Sequence, residues 1–68
     1  MKMPRTLEEL ATMLANRDGV SFEEAFAAIR DCAGAMEFAF INGDLDGAET
    51  ILREDLGLEP DYMDLFIF

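Results

Sequence analysis

Apolar residues recur along most of this chain at spacings of three and four, the period that lines one side of an α-helix. The longest such run is Ser21 to Asn42, SFEEAFAAIRDCAGAMEFAFIN, where Phe22, Phe26, Ile29, Ala33, Met36 and Phe40 fall in one stripe. Ser21 marks the start: its hydroxyl can accept a first-turn amide, and Glu24, three residues on, can reach back to the amide of Ser21. Asn42-Gly43 marks the stop, because glycine takes the left-handed conformation that closes a helix without a Cβ clash. About twenty residues of helix make a rod of about 30 Å. That is roughly the width of a domain this small, so the other segments are predicted to fold against it.

Upstream, Thr6-Leu7-Glu8-Glu9 repeats the capping pattern, and Pro4 suits the approach to a helix. Leu7, Leu10, Ala11 and Leu14 share a face with Met13 beside them, while Glu8, Glu9 and Arg17 oppose the helix dipole favourably. Asp18-Gly19 is the turn, and a link this short predicts an antiparallel hairpin of the first two helices. Downstream, Asp44 can cap a third helix whose apolar arc is Leu45, Ala48, Ile51, Leu52 and Leu56. Gly57, Leu58 and Pro60 end it. Asp55 falls inside that arc: it pairs with Arg30 or Arg17, accepts backbone amides, or splays to solvent at the edge of the helix contact, and pairing or amide acceptance is expected. The final DYMDLFIF reads as a short helix capped by Asp61, with Tyr62, Leu65 and Phe66 turned inward, or as an extended tail. Ile67 and Phe68 at the very end argue that it is tied down on the domain or on a partner. The expected fold is all-α: a compact bundle of three helices, about 6–17, 21–42 and 44–56, plus a short C-terminal helix or tail. Residues 1–68 form a single small acidic domain.

The back of the central helix carries Ala27, Ala28, Gly34, Ala35 and Phe38, with Asp31 among them. These are either tolerated residues on a half-exposed face, with Phe38 covered by a neighbouring segment, or a second contact surface for a partner or another copy of the chain. Gly34 in mid-helix costs up to about 1 kcal/mol against alanine, a cost that makes sense where something approaches closely.

Composition narrows the function classes. With 68 residues the chain is near the lower size for folding alone. Its single cysteine, Cys32, excludes an internal disulfide and falls at the edge of the stripe, where a core thiol is expected. No segment resembles a secretory signal or reaches the length of a membrane span, so the expected location is the cytoplasm, and Met1 suggests an intact small reading frame. Fifteen acids against five bases give a net charge of −10. Residues 43–68 hold eight of the acids and only one base, Arg53. Such a surface repels nucleic acid and anionic lipid.

Gly43, Leu45, Ala48, Leu52, Leu56, Leu58 and Pro60 match, in register, the second half of a tetratricopeptide repeat, which residues 43–60 therefore resemble as one partial copy. The resemblance implies a helix hairpin packed by that family's rules, in a family that binds peptides. The chain departs from the pattern at Asp55, where a small alanine is expected, and upstream at Cys32, Ala35, Met36 and Ala39. Asn42, Asp44, Asp46 and Gly47 resemble the first half of a calcium loop, but Arg53 stands where the bidentate glutamate is required and Glu49 where an apolar residue should enter the core. No metal site is expected. Without histidine, a glycine-rich phosphate cradle or a serine elbow, the sequence points to no enzyme and implies no cofactor.

The residues therefore point to a protein-binding or regulatory adaptor module. Its expected surface comprises Gly34, Phe38, Tyr62, Phe66 and Phe68 together with the acids Asp44, Asp46, Glu54, Asp55, Asp61 and Asp64. Its expected partner is a protein with a basic or apolar surface, or a second copy, with neither nucleic acid nor membrane bound directly. In size and charge alone the chain also resembles the short acidic inhibitors of phage and mobile elements that imitate nucleic acid. For them the requirement is a ridge of unpaired carboxylates, here Asp44, Asp46, Glu49, Glu54, Glu59, Asp61 and Asp64.

Overall fold

The computed structural model describes residues 3–67. Phe68 lies outside the described residues, and with it the expectation that this residue is tied down. The described chain is all-α: α1 (Leu7–Asp18), α2 (Phe22–Ile41), α3 (Leu45–Leu56) and a C-terminal 3-10 helix (Pro60–Phe66), with no strand among the described residues. It measures 33 × 23 × 20 Å, and α2 is the shared wall against which α1, α3 and the 3-10 helix pack.

Each α-helix begins where side-chain chemistry predicts. The amide of Glu9 donates to Thr6 Oγ1 (3.1 Å), that of Glu24 to Ser21 Oγ (3.1 Å), and that of Gly47 to Asp44 Oδ1 (2.9 Å). The reverse half of the capping box is not made at Ser21, and Glu9 instead accepts the amide of Arg5 (3.1 Å). At the end of α2, Gly43 is left-handed (φ 71°), its amide donates to Phe40 O (3.0 Å), and the amide of Asp44 donates to Ala39 O (2.8 Å). This paired closure satisfies orphan carbonyls and turns the chain at once. Asp44 thereby finishes one helix with its backbone and starts the next with its carboxylate.

The buried track on α2 is Ala25, Ile29, Cys32, Met36 and Ala39, with Phe26, Ala33 and Phe40 half-buried beside it. It meets Leu10, Ala11 and Leu14 of α1 and Ala48, Leu52 and Leu56 of α3 in one core closed by Leu58 and Phe66. The expected stripe is thus rotated. Phe22 is 43% exposed, its ring stacked on Phe26 with centroids 5.6 Å apart. Cys32 lies in the middle of the track rather than at its edge, and burial pushes its thiol up to about 11, assisted by the charge of Asp55. Leu45, expected inside, is exposed.

Asp55 is corrected as well. Its carboxylate is exposed and makes no ion pair among the described residues. Arg17 goes elsewhere: it chelates Asp18 (2.8 and 3.1 Å) and donates to Leu56 O at 2.8 Å, where it covers a terminal carbonyl of α3. The hydrogen bonds from Arg17 hold the Asp18 carboxyl below its ordinary range. Asp55→Ala is therefore expected to leave stability within about 0.5 kcal/mol, leaning toward a gain because an acid in the last turn opposes the helix dipole. Denaturant unfolding at neutral pH measures this, and a loss above about 1 kcal/mol would return Asp55 to the core border.

Candidate functional site

The covered side of α2 faces α1 and α3, which leaves its opposite side without a neighbour among the described residues. Along that side run Ala27, Gly34, Phe38 and Ile41, related by helical steps of three, four and seven. Phe38 is 69% exposed and Ile41 76%, so no segment covers Phe38 as one reading of the sequence supposed. A side chain built on Gly34 meets nothing within 4 Å. The glycine is therefore not held by close packing inside the domain, and Gly34→Ala is expected to raise stability by up to about 1 kcal/mol, read as a higher denaturation midpoint. A loss would show that the helix needs glycine there for a backbone reason.

Beside Ile41 the surface dips into an open groove of about 350 Å³ lined by Glu37, Phe40, Ile41, Phe66 and Ile67. Phe66 and Ile67 reach it from the end of the C-terminal 3-10 helix, whose first turn starts at Pro60 with no side-chain cap. Asp61 thus does not cap this helix. Phe66, named as surface from the sequence, is only 3% exposed and works as a core anchor. Tyr62 is half-buried, its hydroxyl 3.9 Å from Met13 Sδ. A second hollow, of about 450 Å³, lies among Met13, Arg17, Leu58, Glu59 and Tyr62, but its cation is already committed to Asp18 and the α3 carbonyl.

Asp46, Glu54, Asp61 and Asp64 are exposed and, among the described residues, make no ion pair, whereas Asp44 is engaged by the Gly47 amide. A Cβ at Gly47 would meet the Asp44 carboxylate as it stands, a contact that this flexible side chain can relieve by shifting. Helix begins at Leu45, so the segment resembling a calcium loop is helical through what would be its second half. Among the described residues no three potential metal ligands converge, and no helix is long and apolar enough to cross a membrane. No family model, curated protein or solved structure matches this chain. The sequence singled out Gly34 and Phe38, and Ile67 only as part of a tied-down terminus, but missed Ile41. Ile41 lies seven residues beyond Gly34 on the same side, and that spacing was the available signal. The groove depends on how the C-terminal helix docks, which no local pattern encodes.

Proposed function

We propose that this chain is a small cytoplasmic binding module, rather than an enzyme, that recognises another protein through the uncovered side of α2. The observation that carries this reading is the pair Phe38 and Ile41, neighbours on the helix and both more than two-thirds exposed, a local apolar surface of the kind that marks contact sites. The stretch between Arg30 and Arg53 adds specificity. It contains Asp31, Glu37, Asp44, Asp46 and Glu49 and no base, and Glu37 stands beside Ile41 at the groove, an apolar centre with a charged neighbour of the kind protein interfaces use. The resemblance of residues 43–60 to a helix of a peptide-binding family points the same way.

A second reading, imitation of nucleic acid, is favoured by Asp46, Glu54, Asp61 and Asp64, which are exposed and make no ion pair among the described residues. Affinity capture from the source cells separates the two. Wild type is compared with the double variant Phe38→Ser/Ile41→Ser and with Asp46→Asn/Glu54→Gln/Asp61→Asn/Asp64→Asn. A partner lost with the apolar double variant and kept with the neutralised acids is the expected result. The reverse pattern replaces the reading with mimicry, and a partner indifferent to both variants rejects the α2 surface.

A further inference from the structure

We propose that the uncovered side of α2 seats a cationic amphipathic helix of the partner, a deepening that rests on the binding reading above. From Gly34 to Ile41 the face runs about 10 Å along the axis, two helical turns. It has a saddle at Gly34, where nothing lies within 4 Å of a side-chain position, and a groove at the other end between Ile41 and Ile67. A second helix crossing here can bring its backbone close at the glycine and place an apolar side chain two turns away into the groove. Apolar anchors one and two turns apart are how helices are recognised in grooves.

Charge selects among possible occupants. Glu37 stands at the groove and Asp31 borders the face, against one base on this side, Arg30, a helical turn before Gly34. A second copy would set these same acids against each other on top of two net charges of −10, and anionic lipid would be repelled. A helix with lysine or arginine beside its apolar stripe answers both features. Its aliphatic stems extend the apolar contact while their cationic ends reach the acids.

The test uses the full chain and three synthetic 18-residue peptides: a leucine/lysine amphipathic helix, the same composition scrambled to destroy the period, and a leucine/glutamate version. Binding is measured by calorimetry at low and physiological salt, and the contact is mapped by amide chemical shifts. The amphipathic cationic peptide should bind at least about tenfold more tightly than either control, a difference of about 1.4 kcal/mol. Shifts should centre on Gly34, Phe38, Ile41 and Ile67. Gly34→Leu should fill the saddle and weaken binding about tenfold without lowering the melting temperature. Equal binding of the scrambled peptide, shifts centred on Asp46 and Glu54, or indifference to Gly34→Leu would each overturn the proposal, as would concentration-dependent self-association of the free chain through this face. If cellular capture depends on Phe38 and Ile41 but not on Gly34→Leu, the binding reading stands and the helical occupant fails.

Discussion

Met36→Ala is expected to lower stability by about 2–5 kcal/mol. Met36 is fully buried on α2, in the track shared by the core of all the helices. Truncation removes its transfer free energy and leaves a cavity that α1 and α3 cannot close without moving as rods. A chain of 68 residues has a total stability of about 3–10 kcal/mol, so the variant is expected to lose a large part of its margin and to melt at a much lower temperature. Phe22→Ala provides the internal comparison, because Phe22 is larger and belongs to the stripe the sequence suggests. With 43% of it exposed, its loss should cost about 1 kcal/mol or less. Circular dichroism against denaturant measures both. A Phe22 effect equal to that of Met36 would mean that the helix is rotated back toward the sequence-derived stripe.

Phe66→Ala should have the second large effect, but of a different kind. Removing a buried phenylalanine costs about 3–5 kcal/mol where the whole core must absorb the loss. Phe66 is at the end of the chain, on a 3-10 helix that begins without a side-chain cap. That helix can undock while α1, α2 and α3 remain assembled, so the global cost is expected to be cut short at about 2–3 kcal/mol. Amide hydrogen exchange distinguishes the outcomes. Amides from Asp61 to Phe66 should lose protection in the variant while those of Ile29 and Met36 keep most of theirs. Uniform loss throughout the chain would make the C-terminal helix an inseparable part of the core.

Much of this architecture is legible in the sequence because it is local. Thr6, Ser21 and Asp44 act within three residues of themselves, and Gly19, Gly43 and Gly57 end their helices as expected. The phase of α2 was not legible. Counting large apolar residues favours Phe22, Phe26 and Phe40, whereas the interior selected Ala25, Cys32 and Ala39. Small residues let α1 and α3 come near, and closeness rather than side-chain size fixed which side turned in. The buried sector is rotated by about 60°, just over half the 100° between successive residues. Asp55 was misjudged on a different ground: Ala48, Leu52 and Leu56 of its arc are buried as expected, but position 55 stands at the border of the arc, where a carboxylate reaches solvent. Arg17 was beyond local reasoning, since its acceptor on Leu56 is 39 residues away. In the candidate site, Gly34 and Phe38 followed from the helical wheel, while the groove beside Ile41 required knowing where Phe66 and Ile67 come to rest.

The position of Cys32 makes the molecule its own recorder of opening. The thiol is buried at the seam between helices, and burial with the nearby Asp55 charge keeps it protonated well past the pH at which an ordinary cysteine ionises. Thiolate is the reactive form, so alkylating reagents meet almost none of it in the closed domain. Labelling must wait for α1 or α3 to swing away from α2, and its rate at saturating reagent counts those openings one by one. Oxidation is gated in the same way. With dissolved oxygen taking up the two electrons, two chains can become joined through sulfur only after both have come apart, so covalent dimers in an aged, aerated sample would be a tally of past unfolding.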